Sequence, residues 1–262
     1  MTPTGLLPPA PPDPRPALLP DALSASARIW LAEAATRIAA EPSAIRALFP
    51  AARRRCGHAR LDAHWTTDEA ARAVLLTALP LQGRALADEV AGLYRHGDPA
   101  EQRAVLRTLP LLGSPAAGPG DDPLGEVALS LVREALRGND TSVIEAALGP
   151  YAAAHLPDAE YRQAVLKCVF YEIPLARIFG LHARTDAELA RMLADFAHER
   201  IAAGRDVPPD IWPVVRPFPA VADAFATRAH SVAPTRRAAA ESALAALRGD
   251  AATSLGDIEE EA

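Results

Sequence analysis

The stretch YRQAVLKCVFYEIPLARIFGL (residues 161–181) and, after a short turn, TDAELARMLADFAHERIAAGRDVPPDIWPVVRPF (residues 185–218) decide the fold of this chain. In the first segment, apolar residues recur at the spacing of one buried helix face, namely Val165, Leu166, Val169, Phe170 and Ile173. Pro174 cannot continue a helix, because it lacks the backbone N–H and its ring clashes with the preceding turn. The spacing therefore predicts a core-facing helix that ends at Ile173 and Pro174.

The second segment predicts a long helix with one polar face. Thr185 and Glu188 have the spacing of a capping box, in which each side chain satisfies a backbone donor of the first turn. A helix of about five turns should run from there to Gly204. Its buried stripe is expected to hold Leu189, Met192, Leu193, Phe196 and Ala197. The opposite, polar face carries Arg191, Asp195 and His198.

Positively charged side chains on these helices form the candidate ligand site. The expected ligand-binding residues are Arg162, Lys167, Arg177 and Arg200, with Trp212 as an apolar wall. Arginine offers a planar fork that binds phosphate or carboxylate through two hydrogen bonds. The same cations, Arg191 among them, could instead pair with Glu160, Glu172, Asp195 and Glu199 to join neighbouring helices. Both interpretations are open from the sequence.

The runs VLKCVFYEIPLARIFGL and ELARMLADFAHERIAAGRDVPPDIWPVV resemble the EboA family, whose members are encoded in a conserved bacterial and algal gene cluster. The resemblance covers residues 160–218. Neighbouring genes in that cluster resemble a prenyltransferase, a metal-dependent hydrolase and sugar-type synthases. The resemblance implies a role in trafficking or assembly of secondary-metabolite precursors, with proteins of the cluster, such as a membrane prenyltransferase, as partners. It supplies no catalytic residue and no cofactor.

Related runs elsewhere in the chain indicate a helical repeat. RAVLLTALPL begins at Arg72, RAVLRTLPLL begins 31 residues later at Arg103, and RQAVLKCVFYEIPL begins a further 59 residues on at Arg162. Repetition at roughly 30 to 45 residues is typical of HEAT-like or armadillo-like solenoids. We therefore predict an all-α helical repeat array with a proline-rich C-terminal cap after Arg205. The alternative is an irregular bundle, in which Ala- and Leu-rich helices resemble one another by chance.

Local signals place other helix ends. Asp21 is the predicted N-cap of a helix that runs to about Ala40, and Pro42 opens a second helix that Pro50 interrupts. Later helices are expected to begin at the capping pairs Thr66–Glu69 and Asp98–Glu101, to be split near Gly138, and to end with one over 235–248. One helical domain should span residues 21–248, between disordered tails at 1–20 and 249–262. The stretch from Ser114 to Pro123 is expected to form a flexible loop.

Composition and motifs exclude several classes of function. A net charge of -6 disfavours general binding to nucleic acid or to an anionic membrane, and no apolar run is long enough to span a bilayer. Cys56, His58 and His64 follow the basic run Arg53–Arg55, but they lack a fourth metal ligand and a usual spacing. The arginines are interpreted as a solvated face or a helix C-terminus. No metal and no cofactor are therefore expected.

The predicted function is that of a non-catalytic binding or assembly protein. No residues form a convergent set of nucleophile, base and oxyanion donors. The alternative is an enzyme of the same pathway that acts on a phosphorylated or prenylated small molecule through a cationic pocket. The ligand class in either case is an anionic or amphipathic small molecule. The two cysteines and the absence of a signal-peptide pattern predict a cytoplasmic location, with a partner linking the protein to the inner membrane.

Overall fold

The computed structural model describes residues 19–112, 123–230 and 232–249. These residues form helices and short 3-10 turns without any β-strand, apart from an isolated antiparallel bridge between Arg60 and Thr66. The predicted all-α fold is confirmed. Among the described helices, none is both long enough and apolar enough to cross a membrane. The two predicted tails lie almost wholly outside the described residues. The predicted loop also lies outside them, except for its last residue, Pro123.

Two compact units make up the chain. Unit 1 comprises the residues up to Ala164 together with Arg177–Gly180, and unit 2 comprises Val165–Ala176 and the residues from Leu181 onward. The helix Asp158–Phe170 begins in unit 1 and ends in unit 2. A single domain over 21–248 stays a prediction.

Within the described residues, unit 1 is built from nine complete α-helices and the start of a tenth. They are α1 (Leu19–Ala22), α2 (Ala25–Ala40), α3 (Ile45–Cys56), α4 (Thr67–Thr77), α5 (Gly83–His96), α6 (Pro99–Leu112), α7 (Pro123–Arg137), α8 (Thr141–Ala147), α9 (Pro150–His155) and the start of α10 (Asp158–Phe170). Helices α3, α4, α6 and α8 contact one another in that order, and α5 packs against α7. Fully buried side chains such as Phe49, Leu75 and Leu109 fill the core, each contributing about 1.5 to 3 kcal/mol.

Helix boundaries in unit 1 agree with the sequence signals at two caps and differ at two other places. The capping pairs Thr66–Glu69 and Asp98–Glu101 are both present. Ser24, not Asp21, caps α2, because its hydroxyl accepts a hydrogen bond from the Ala27 N–H. Pro50 lies inside α3 and does not interrupt it. The loss of one backbone hydrogen bond there is offset by a buried face that continues from Ile45 to Cys56.

Unit 2 is organised around one long helix. It contains the end of α10, α11 (Leu181–Arg184), α12 (Ala187–Ala202), α13 (Trp212–Val215), α14 (Pro219–His230) and α15 (Arg237–Arg248). Helix α12 contacts α13, α14 and α15. It begins one residue later than predicted, because Asp186 and not Thr185 accepts the hydrogen bond from Leu189. Leu189, Leu193 and Ala197 are buried as expected, and α14 is a regular helix within the proline-rich C-terminal part.

The end of α10 differs from the predicted stripe. Phe170 is 71% exposed, and the buried face is centred on Val165, Cys168 and Val169. Cys168 acts as a small apolar residue, so the buried face is rotated away from Phe170. The helix then ends with Glu172 in the left-handed region at φ 58, a conformation that favours glycine.

The strain at Glu172 predicts a stabilising substitution. Glu172→Gly should raise the free energy of unfolding by about 0.5 to 1 kcal/mol, because glycine adopts a positive φ without a clash of its Cβ. Glu172→Ala, which keeps the Cβ, is the matched control and should give no such gain. Denaturant unfolding checks both variants, and equal stability of the glycine and alanine variants would contradict the prediction.

Candidate functional site

The predicted polar face of α12 is held by ion pairs. Arg191 donates hydrogen bonds to Glu188 at 2.6 and 2.9 Å and to Asp195 at 2.7 Å. Asp195 also accepts a hydrogen bond of 3.0 Å from Arg228 on α14. These side chains are about half exposed, so solvent screening leaves each pair only weakly stabilising. For Arg191 and Asp195 the structure thus favours the interpretation in which charge joins neighbouring helices.

His198, the third residue of that face, belongs to an aromatic cluster in unit 2. Its ring centroid lies 4.5 Å from that of Phe225, and the Trp212 ring lies 5.1 Å from the same phenyl ring. Burial lowers the pKa of His198, and the charge of Arg228 lowers it further against the opposing effect of Asp195. The imidazole is therefore neutral at pH 7.

Two nitrogen atoms of this cluster are buried without a hydrogen-bond partner in the described part of the chain. They are Nε2 of His198 and Nε1 of Trp212, and Trp212 is only 1% exposed. An unpaired buried polar atom costs about 1 to 3 kcal/mol. A small polar group that reached either nitrogen would therefore be bound favourably.

A groove of about 310 Å³ lies beside α15 in unit 2. Its lining combines Asp206, Val207 and Pro209 from the loop after α12 with an alanine-rich face of α15 that includes Ser242. Arg200 donates a 2.8 Å hydrogen bond from Nε to the backbone carbonyl of Asp206. The predicted ligand residue Arg200 thus lies beside a groove of mixed polar and apolar lining, in which Asp206 is the charged lining residue.

The remaining N–H groups of the Arg200 guanidinium are not bonded to a carboxylate within the described residues. Arg200 makes no ion pair within the described ranges, and its guanidinium carbon lies 5.9 Å from the ring centroid of Phe196. The charged end therefore lies near the Phe196 ring, and Nε is bonded to the Asp206 carbonyl. Of the predicted ligand residues, Arg200 is thus placed beside the groove, and its role in binding stays a prediction.

Lys167 of unit 2 and two arginines of unit 1 complete the predicted ligand set. Lys167 Nζ lies 5.3 Å from the ring centroid of Tyr171, one helical turn away. Arg177 is exposed and pairs with Glu145 at 3.1 Å, and Arg162 is half-buried. That the ligand set forms one pocket with Trp212 stays a prediction.

Unit 1 buries a network of charged side chains that sequence reasoning did not identify. Arg72 is 1% exposed and donates hydrogen bonds to Asp68 at 2.9 Å and to the Phe49 carbonyl at 3.2 Å. Its second terminal nitrogen lies 3.7 Å from a carboxylate oxygen of Glu101. Burial raises the pKa of Glu101, so this carboxyl group is the more easily protonated partner of Arg72.

The same network continues to the next helices. Glu69 is buried and accepts hydrogen bonds from Arg103 at 2.7 Å and from Arg107. Arg103 also donates to the Ser142 hydroxyl at 2.9 Å. Charged side chains at the N-terminal ends of α4 and α6 therefore cross-link these helices to each other and to α8.

His58 and Cys56 lie at the edge of this network. His58 Nδ1 is 2.8 Å from the buried Asp68, which also accepts a 2.7 Å hydrogen bond from the Thr66 hydroxyl. Although burial opposes ionisation of Asp68, the bonds from Thr66 and His58 and the charge of Arg72 hold its pKa below the usual value. Burial raises the pKa of the Cys56 thiol to about 11, and the Asp68 charge acts in the same direction. A neutral thiol is a poor nucleophile, so Cys56 and His58 do not form an activated pair.

Two sequence signals could have revealed this network. Arg72 and Arg103 occupy the same position of the first two related runs, and each follows a capping box whose glutamate is Glu69 or Glu101. In the structure, each arginine contacts the glutamate of the other run. Aligning the repeats would have placed these charges opposite one another. Among the described residues, no group of three or more His, Cys, Asp or Glu side chains is arranged to hold a metal ion.

Removing Arg72 should be strongly destabilising. Arg72→Ala leaves the buried Asp68 carboxylate without its cation, so we expect a loss of about 3 to 5 kcal/mol in the free energy of unfolding. Arg84→Ala is the control, because the Arg84–Asp88 pair is largely exposed and should contribute less than about 1 kcal/mol. Chemical denaturation of both variants checks the prediction, and similar losses would contradict it.

The Cys56 thiol should make the fold sensitive to alkali. Its pKa rises from an ordinary value near 9 to about 11 on folding, so the stability it contributes is present below pH 9 and is lost as pH rises towards 11. Each pH unit in that window should cost up to about 1.4 kcal/mol. Cys56→Ala should remove this slope. Comparing the free energy of unfolding of the two proteins across this pH range separates the effect of Cys56 from that of Tyr94, whose pKa is raised to about 12 by burial. Parallel pH profiles would contradict the assignment.

Comparison with known proteins gives one match. Residues 17–216 match the family described as metabolite traffic protein EboA. No curated protein and no solved structure matches the chain. The matched range includes the buried charge network, α12 and the loop side of the groove, and it ends before α14 and α15. Because this range covers well over half of the sequence, the chain belongs to the EboA family of metabolite traffic proteins.

Proposed function

We propose that this protein is a non-catalytic carrier or assembly factor that binds an amphipathic precursor of a secondary metabolite and assists its trafficking or export. The observation that carries the proposal is the position of Arg200 beside the groove in unit 2. A groove with aliphatic side chains in its lining, beside a cation that makes no ion pair in the described residues, suits a molecule with an apolar body and a phosphate or carboxylate head.

The size and lining of the groove are consistent with a small ligand. A volume of about 310 Å³ is at the lower end of ligand pockets, and the lining is polar and apolar in about equal parts. Asp206 would repel an anion that entered the groove fully. The head group is therefore proposed to stay at the rim beside Arg200, with the apolar body against Val207, Pro209 and α15.

Unit 1 is proposed to present a surface to protein partners. The serial contacts of α3, α4, α6 and α8, and the reciprocal ion pairs between Arg72 and Glu101 and between Arg103 and Glu69, support a HEAT-like repeat array. Such arrays commonly bind other proteins. The proposed partners are proteins of the same gene cluster, including a membrane prenyltransferase, and the proposed location is the cytoplasmic side of the inner membrane.

The binding hypothesis can be tested with a matched pair of probes, farnesyl phosphate and farnesol, by isothermal titration calorimetry. Arg200→Gln should weaken binding of farnesyl phosphate about 10- to 100-fold, as expected for loss of a hydrogen bond to a charged group, and should leave farnesol binding unchanged. Ala246→Leu, which fills the groove from α15, should weaken binding of both probes.

Arg191→Gln is the matched control, because it removes an exposed arginine from the same helix away from the groove, and binding should not change. Melting temperature is measured for every variant. Loss of binding that accompanies loss of stability, an equal effect of Arg191→Gln, or the absence of binding by the unmodified protein would each contradict the proposal.

A further inference from the structure

A second cluster of cations lies on unit 1, remote in sequence from the groove. It consists of Arg53, Arg54 and Arg55 in the last turn of α3 and Arg60 in the following loop, and we name it the basic patch. All four side chains are exposed. None makes an ion pair within the described part of the chain, although the whole sequence has a net charge of -6.

The basic patch differs from the other exposed arginines of unit 1. Five of those arginines pair with carboxylates: Arg37 with Glu41, Arg46 with Glu89, Arg84 with Asp88, Arg95 with Glu134, and Arg177 with Glu145. Neutralisation by nearby acids is therefore the common arrangement on this surface. In the basic patch, three consecutive cations are only partly offset by the dipole at the helix C-terminus.

The loop beside the patch is held in a defined conformation. Asp62 Oδ1 accepts hydrogen bonds of 2.7 Å from the backbone N–H groups of His64 and Trp65, and the Leu61 N–H donates to the Trp65 carbonyl at 2.9 Å. His58 is attached to the buried Asp68 at 2.8 Å. These hydrogen bonds fix the backbone of the loop that carries Arg60. Leu61 and Trp65 of the same loop are half-buried.

We propose that the basic patch docks the protein directly on an anionic lipid surface. Clusters of four or more arginines or lysines bind the head groups of anionic lipids, and arginine binds phosphate through two hydrogen bonds. The indole of Trp65 prefers the boundary between head groups and acyl chains. Lipid is favoured over nucleic acid, because a planar membrane meets only one face of the protein and leaves the acidic remainder distant and screened.

The test measures sedimentation of the full-length protein with vesicles of phosphatidylcholine, with and without phosphatidylglycerol. We expect binding only when phosphatidylglycerol is present, and a marked loss of binding at high salt. The triple variant Arg53→Gln, Arg54→Gln, Arg55→Gln should bind these vesicles at least about tenfold more weakly. Arg37→Gln, Arg84→Gln, Arg95→Gln is the matched control, because it removes the same charge from paired arginines.

Each outcome decides the proposal, provided that circular dichroism shows both variants to be folded. Loss of binding in the first variant alone supports the basic patch. Equal losses in both variants, or no binding by the unmodified protein, would overturn it. Displacement from vesicles by millimolar inorganic phosphate would assign the patch to a free phosphate ligand, and equally tight binding of duplex DNA would assign it to nucleic acid; either result also overturns lipid docking. Because farnesyl phosphate binding depends on Arg200, failure here leaves the proposed carrier function unaffected.

Discussion

The contact between Arg72 and Asp68 is the constraint on which unit 1 depends. A guanidinium and a carboxylate without solvent contact are stable only when each has its partner, so α3, α4 and α6 must adopt positions that bring Phe49, Asp68 and Glu101 to Arg72. The reciprocal pair of Arg103 and Glu69 extends this requirement towards α8. Apolar burial supplies most of the free energy, while the charges specify which helices are neighbours.

The same pairing of charges distinguishes the cations that hold the fold together from those that could bind an external anion. In unit 1 the interior cations have partners, and the four cations of the basic patch that lack them are on the surface. In unit 2, Arg191 pairs with Glu188 and Asp195 on the polar face of α12, and Asp195 also pairs with Arg228. Arg200 makes no ion pair within the described residues and lies beside the groove. In each unit, the residues without carboxylate partners are the better candidates for binding an external anion.

The sequence predicts features that depend on neighbouring residues better than features that depend on packing. The caps at Thr66 and Asp98 require only a few consecutive residues, and both are present. The exposure of Phe170 depends on which of several similar stripes packs inward, and a helical pattern does not distinguish Cys168 from Phe170 as its centre. For the site, the residue type identified Arg200, but the groove could not be predicted because α15 is about forty residues away in the chain.

The environment of Trp212 has an optical consequence. Its indole is buried against Phe225 and its N–H has no partner in the described residues, whereas Trp30 and Trp65 lie half-buried in unit 1. Fluorescence from Trp212 should therefore be emitted at shorter wavelength, since no polar neighbour relaxes around the excited ring. With the other two tryptophans replaced by phenylalanine, a shift to longer wavelength would report the arrival of water or a ligand hydroxyl at this one nitrogen, and would follow unit 2 independently of unit 1.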